Sequence, residues 1–119
     1  MAYPEDLTED EAYDAAAEVD FQIADVAVAA ARAIEEGNFE KADSKLREIR
    51  SMAENMKEAA EIGGLERWIE YADGLSEHVE QTRNAIEEGR GWDAFDNTVE
   101  IPELCARYTT RPYIGSDKS

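Results

Sequence analysis

Apolar residues recur along the chain at alternating steps of four and three, the spacing of one buried helical face. The pattern stops at Gly37, at Gly63-Gly64 and at Gly89, and glycine readily ends a helix in the left-handed conformation. It therefore predicts a first helix over about residues 8–36, a second from the cap at Asn38 to Gly63-Gly64, and a third from there to Gly89. The predicted seam of the first helix is Ala12, Ala16, Val19, Ile23, Val26, Ala30 and Ala33.

The first helix has a clear start and an unusually wide apolar face. Thr8 and Glu11 have the spacing of a capping box, in which each side chain bonds the backbone N–H of the other residue. Phe21 and Val28 extend the apolar face beyond the seam, so we expect this helix to be packed on more than one side. A homodimer through this face is one alternative.

The fourth segment is less regular than the first three. Trp92, Phe95 and Val99 give one helical face over about residues 92–100. Pro102 then removes a backbone donor and crowds the preceding turn, which predicts a kink or break. The remainder to residue 110 completes a single predicted domain, 1–110, and residues 111–119 form a non-helical tail.

Three helices of about 25 residues would each be roughly 37 Å long, and the connections between them are short. Short connections require antiparallel neighbours. The predicted fold class is all-α: an antiparallel up-down-up-down four-helix bundle built from two helical hairpins, with the fourth helix broken near Pro102.

An internal repeat supports the two-hairpin architecture. The pentapeptide Ala-Ile-Glu-Glu-Gly occupies residues 33–37 and again 85–89, a spacing of 52 residues. An aromatic residue and an acid follow each copy, Phe39-Glu40 and Trp92-Asp93, so the second copy reads as if Gly91 were inserted and Phe95 stood near the expected alanine. Repetition at this spacing is typical of one supersecondary unit used twice.

The stretch Gly37-Asn38-Phe39-Glu40-Lys41-Ala42 resembles the turn inside tetratricopeptide repeats, where a Gly-Asp/Asn-aromatic-acid-x-Ala pattern joins two helices. The resemblance covers these six residues and implies a helical hairpin. The predicted helices are too long for a repeat of about 34 residues, so no peptide-binding groove is carried over from that family.

The charge of the chain narrows the choice of partners. Its 119 residues include 29 acids against 12 Lys plus Arg, a net charge of −17, which disfavours direct binding to nucleic acid or to an anionic membrane. Three explanations of the acidity remain: solubility, adaptation to high salt, and presentation of acids to a basic partner. The single Cys105 cannot form an internal disulfide, no secretory signal is visible, and the apolar run Val26–Ala31 is far too short to span a membrane. We therefore expect a cytoplasmic protein.

Catalytic, metal and cofactor sites are not expected. A di-iron bundle needs two Glu-x-x-His pairs, but His78 is the only histidine and Leu75 stands three residues before it. Histidine phosphotransfer domains place a Lys and a Gly shortly after the histidine, whereas acids flank His78, so this function is a lesser alternative. Cys105 has no histidine partner in sequence.

The candidate partner site is the end of the bundle that carries both repeated turns. Four of its acids fall at helix C-termini, where the helix dipole disfavours them by roughly 0.3–1 kcal/mol each. We expect a docking surface for a protein with a basic surface, in an inhibitor or adaptor that could mimic nucleic acid as some phage anti-restriction and anti-CRISPR proteins do. The rival is a structural homo-oligomer adapted to high salt. The acids are Glu35, Glu36, Glu40, Glu87, Glu88, Asp93 and Asp96, and the candidate interface aromatics are Trp92, Tyr108 and Tyr113.

Overall fold

The computed structural model describes residues 3–101, and every regular element within that range is an α-helix. The helices are α1 (Glu9–Glu35), α2 (Phe39–Gly63) and α3 (Glu66–Glu87). They are followed by α4, which begins at 91 and continues to 101, the last described residue. The predicted all-α fold with four helices is confirmed. The predicted break near Pro102, Cys105 and the tail from residue 111 lie outside the described residues.

Local side-chain chemistry fixes the helix starts. Thr8 and Glu11 form the predicted capping box, with the Glu11 N–H donating to the Thr8 hydroxyl at 3.1 Å and the Thr8 N–H donating to the Glu11 carboxylate at 3.0 Å. Hydrogen bonds from Thr8 to the Glu11 carboxyl, from the Thr8 backbone N–H first and its side chain second, hold the pKa of that carboxyl below its usual value. Asn38 caps α2 by accepting from the Lys41 N–H at 3.2 Å.

The inner face of α1 departs from the predicted seam in the middle of the helix. Val19 and Val26 are only half-buried, while Asp20 and Ala27 are buried in their place. A straight α-helix drifts by about 20° per heptad relative to a strict seven-residue repeat. The buried row of this 27-residue helix therefore advances by one extra residue between Ala16 and Asp20, and the predicted Ala30 and Ala33 are buried again near its end.

Asp20 is the one buried carboxylate of α1, and it is held by α3. The Tyr71 hydroxyl donates to the Asp20 carboxylate at 2.6 Å, and both side chains are less than a tenth exposed. Nearer the start of both helices, the rings of Tyr13 and Trp68 meet edge to face, with 5.5 Å between their centres. Both contacts hold α1 against the first two turns of α3.

Ion pairs join α2 to α3 along their length. Arg83 near the end of α3 donates to Asp43 near the start of α2 at 2.7 Å, and Lys57 near the end of α2 meets Asp73 near the start of α3 at 2.9 Å. The Lys57–Asp73 pair is solvent-exposed, and exposed pairs contribute only about 0–1 kcal/mol each; the Arg83–Asp43 pair is partly buried. The packing of small buried residues against the larger Leu46, Ile49, Met56, Leu75 and Val79 forms the core between the helices.

The face that Trp92, Phe95 and Val99 share is not the buried face of α4. Trp92 and Val99 are exposed and Phe95 is half-buried, whereas Ala94, Thr98 and Ile101 are buried. The Thr98 hydroxyl donates to the Ala94 carbonyl at 2.7 Å, so its polar atom is satisfied within the helix and its methyl group can enter the core. The hydrophobic pattern selected the bulkier residues, which α4 turns outward.

Candidate partner-binding site

The two repeated turns have the same backbone geometry. In the first, the Gly37 N–H donates to the Ile34 carbonyl and the Asn38 N–H to the Ala33 carbonyl. In the second, the same two bonds run from Gly89 to Ile86 and from Arg90 to Ala85. This is the Schellman pattern, which needs a positive φ at the glycine, and Gly37 and Gly89 have φ of 76° and 77°.

The second copy contains no inserted residue, so that part of the sequence interpretation is wrong. The Ala42 N–H donates to the Asn38 carbonyl at 3.1 Å, and the Ala94 N–H donates to the Arg90 carbonyl at 3.0 Å. The offset of 52 residues between the two copies therefore continues into the helix that follows each turn. Gly91 takes the place of Phe39, and Trp92 takes the place of Glu40. The alanines and isoleucines of both copies pack into one apolar cluster: Ala33, Ile34, Ala42, Ala85, Ile86 and Ala94.

The two turns lie against each other at one end of the molecule and enclose an open groove of about 320 Å³. The tip of the Phe39 ring lies 3.6 Å from the position that a Cβ of Gly91 would occupy. Trp92 is 80% exposed and meets Phe95 edge to face at 6.2 Å between ring centres. The groove is lined by Ile34, Glu35, Phe39, Gly89, Gly91, Trp92 and Phe95.

A second, shallower groove continues from the first along α1 and α4. It shares Glu35 and Phe95 with the first groove and has a volume of about 230 Å³. Val28 and Val99 on its walls are 46% and 43% exposed. Contiguous exposed apolar surface of this kind is typical of an interaction site.

All seven predicted acids are exposed at this end of the chain. Two of them are already paired: Arg90 donates to Glu88 at 3.0 Å and to Asp93 at 3.1 Å. These hydrogen bonds, Glu88 first, raise the pKa of the Arg90 guanidinium above its ordinary value. Glu35 forms no ion pair with another residue of the range 3–101.

The sequence interpretation missed the bases at this end. Arg32 and Lys41 line a shallow depression together with Glu36, and Arg90 binds two of the acids. Seven acids and three bases give a local charge of −4, so the end is acidic but less so than the acids alone imply. The signal was present in sequence, because Arg32 stands one helical turn before Glu36 and Arg90 directly follows Gly89.

Among the candidate aromatics, the structure places only Trp92, which lies on the rim of the groove. Tyr108 and Tyr113 are outside the described residues. Phe39 and Phe95 were not proposed as site residues, yet both line the groove. They were missed because the groove depends on the register of the second turn, which the sequence interpretation placed one residue out.

His78 makes a structural contact. Its Nε2 lies 2.6 Å from the Asn97 carbonyl oxygen, and because a carbonyl only accepts, Nε2 must carry the donated proton. The side chain is 16% exposed. This hydrogen bond attaches α4 to α3 and occupies the nitrogen that faces α4.

Residues 3–101 contain no group of three or more His, Cys, Asp or Glu side chains arranged to hold a metal ion. None of the helices in that range is both long and apolar enough to cross a membrane.

The fold and the exposed aromatic groove are those of an all-helical protein with a surface suited to binding. A comparison of the chain with known protein families, with characterised proteins and with solved structures gave no match.

Proposed function

We propose that this protein is a non-catalytic, cytoplasmic helical bundle that acts by binding another protein. Its four helices would run up-down-up-down as two hairpins in one domain, with the break near Pro102. The partner would present a basic surface to the end that carries Glu35, Glu36, Glu87 and Glu88. An inhibitor or adaptor of this kind needs no cofactor and no metal.

The observation that carries the proposal is the exposure of Trp92 in a groove that it lines together with Phe39 and the Glu35 carboxylate. Tyr, Trp and Arg are enriched at the centres of protein interfaces, whereas an isolated acidic surface needs no partner to explain it. An 80% exposed tryptophan leaves apolar area in water that a partner would cover. The surrounding acids would steer a basic partner toward it.

Mimicry of nucleic acid is the narrower version of this proposal. The described residues extend over 44 Å in their longest dimension, and duplex DNA of that length carries roughly 26 charges. The net charge of −17 is of the same order. A partner that normally binds nucleic acid, as the targets of phage anti-restriction and anti-CRISPR proteins do, would then compete with DNA for this protein.

The test is a comparison of two fourfold variants that remove the same number of charges. The partner is captured from the native host or its virus-infected cells and identified by mass spectrometry, and its affinity for each purified variant is then measured. We expect the acidic-end variant E35Q/E36Q/E87Q/E88Q to bind at least about tenfold more weakly than the wild type, a loss of about 1.4 kcal/mol. The matched control exchanges four exposed glutamates remote from these turns: Glu61, Glu66, Glu70 and Glu77.

Salt supplies the second half of the test. Raising it from about 0.1 M to 1 M shortens the screening length from about 10 Å to about 3 Å, so wild-type affinity should fall steeply while that of the acidic-end variant should change little. Equal affinities for the wild type, the acidic-end variant and the control would refute the assignment of the site.

A structural homo-oligomer adapted to high salt is the second candidate, favoured by the exposed apolar side chains of Phe21, Val28 and Val99. Sedimentation and thermal melts in low salt and in molar KCl separate it from the first. A halophilic oligomer should dissociate and lose its fold as salt is removed. Phosphotransfer at His78 has the least support, because Nε2 is engaged by the Asn97 carbonyl; acid-labile phosphate on His78 would establish it.

A further inference from the structure

We propose that the groove between the two turns binds an arginine side chain of the protein partner. This inference rests on the proposed function and specifies which residue of the basic surface enters the site. Its basis is the juxtaposition of the Phe39 and Trp92 rings with the Glu35 carboxylate around an open apolar space.

The groove depends on the difference between the two copies of the repeat at positions 39 and 91. The first copy has Phe39 where the second has Gly91, and the ring of Phe39 lies over the glycine at ordinary contact distance, 3.6 Å. A side chain at position 91 would extend into the space that the groove now occupies. The next residue, Trp92, stands on the outer wall and is 80% exposed.

An arginine fits each wall of this space. Its apolar stem can lie on Ile34 and Phe39, as long cationic side chains commonly do on apolar surface. Its planar guanidinium can stack on the face of Trp92 and donate to the carboxylate of Glu35 in the same plane. Lysine has the same charge as arginine but lacks its planar group and its two parallel N–H donors. An uncharged side chain would give Glu35 no ion-pair partner.

Among the described residues, the cations near this groove are placed elsewhere. Arg90 is held by Glu88 and Asp93, and Arg32 lines the neighbouring groove along α1. Arg90 also shows that acids of this end bind a guanidinium. Glu35 has no ion-pair partner in the described range, so it is available to a cation from outside.

The experiment uses the full chain and three short peptides. The probe is Gly-Lys-Gly-Arg-Gly-Lys-Gly with blocked ends, and the controls carry citrulline or lysine in place of the central arginine. Citrulline keeps the shape of arginine and removes its charge. Binding is followed by NMR at the indole N–H of Trp92 and the amides of Gly89 and Gly91, with the buried indole of Trp68 as an internal reference.

We expect the arginine peptide to shift the Trp92 and Gly91 signals and to bind at least about tenfold more tightly than the citrulline peptide. The lysine peptide should bind between them. Trp92→Ala should lower the affinity for the arginine peptide by about two- to thirtyfold, measured in this variant from the shifts of the glycine amides. Glu35→Gln should remove most of the difference in affinity between the arginine and citrulline peptides, whereas the control Glu40→Gln should leave that difference in place.

Gly91→Phe restores the residue of the first copy and should abolish the shifts by filling the groove. Because a larger side chain there could disturb the turn, Gly91→Ala serves as a second variant: its methyl group would meet Phe39 at 3.6 Å, an ordinary contact. The alanine variant should retain the fold and bind the arginine peptide with an affinity between those of the wild type and Gly91→Phe.

Failure of this inference is distinguishable from failure of the proposed function. Equal, salt-sensitive binding of all three peptides would overturn the arginine site while leaving a basic partner in place. Tighter probe binding by R107Q/R111Q would show that the chain's own arginines fill the groove, and concentration-dependent shifts without peptide would show a second copy there; either result overturns the proposal. No shift of Trp92 with the arginine peptide would also overturn it.

Discussion

The same substitution, glycine to alanine, should have opposite effects at Gly63 and Gly74. Gly63 is the last residue of α2, and a Cβ on it would overlap the methyl group of Ala12, which is fully buried. The Cα of Glu9 on the same helix would lie only 3.7 Å away, so little room exists for a shift. Gly74 lies within α3, and a Cβ there would have no other atom within 4 Å.

The expected magnitudes follow from two opposing terms. Alanine in place of glycine stabilises a helix by roughly 0.5–1 kcal/mol, chiefly because it reduces the freedom of the unfolded chain. Forcing an extra methyl group into a packed contact costs about 1–3 kcal/mol. Gly74→Ala should therefore raise the free energy of unfolding by up to about 1 kcal/mol, while Gly63→Ala should lower it by up to about 2 kcal/mol.

Urea and thermal denaturation followed by far-UV circular dichroism measure both variants. For a chain of this size, 1 kcal/mol corresponds to a change in Tm of about 4 °C. The double-mutant cycle with Ala12→Gly isolates the overlap, since Gly63→Ala should be at least about 1 kcal/mol less damaging once the Ala12 methyl group is gone. If Gly63→Ala stabilises the protein as much as Gly74→Ala does, then α1 and α2 do not approach each other as closely at Gly63 as they do in this structure.

Three further predictions test other contacts. Tyr71→Phe should lower the free energy of unfolding by about 1.5–3 kcal/mol, because it removes a hydrogen bond to the buried Asp20 carboxylate, and urea denaturation should show a much smaller effect in an Asp20→Ala background. The pKa of Glu11 is lowered in the folded protein, so the stability it contributes is present above its unfolded pKa and is lost as the pH falls through the folded value. Glu11→Gln should therefore flatten the dependence of Tm on pH below about pH 4.5, which thermal melts at a series of pH values measure. An unchanged dependence would contradict a contribution of the capping box with Thr8. His78→Phe should release α4 from α3, so amide hydrogen exchange should quicken in α4 and not in α2, and uniform quickening would argue against a local role.

The helix boundaries were predictable from sequence because their causes are local. The capping box at Thr8, the Asn38 cap and the glycine stops each depend on residues within one turn of the boundary. The burial of Asp20 was not predictable in this way, since its hydrogen-bond partner Tyr71 is 51 residues distant in sequence. A pattern of apolar positions assigns any aspartate to solvent.

The faces of α4 show a related limit. Ala94 and Thr98 are small and one is polar, so the apolar pattern picks out Trp92, Phe95 and Val99 instead. At the second turn Ala94 occupies the place that Ala42 has in the first copy, and both alanines are fully buried in one apolar cluster. Small side chains fill this junction, whereas the larger Trp92 lies outside it.

The repeat explains why the candidate site lies where it does. Two identical turns that face each other would present the same residue from both sides, and two rings at positions 39 and 91 would compete for one space. Glycine at 91 removes one ring, so the other covers its backbone and the remaining volume opens to solvent. The differences between the copies are thus more informative about binding than the identical pentapeptide: Asn38 becomes Arg90, which pairs with two acids, and Glu40 becomes Trp92, which adds an exposed ring. The duplicated turn supplies the frame and the Glu35 carboxylate, and the residues at which the two copies diverge supply the aromatic walls of the groove.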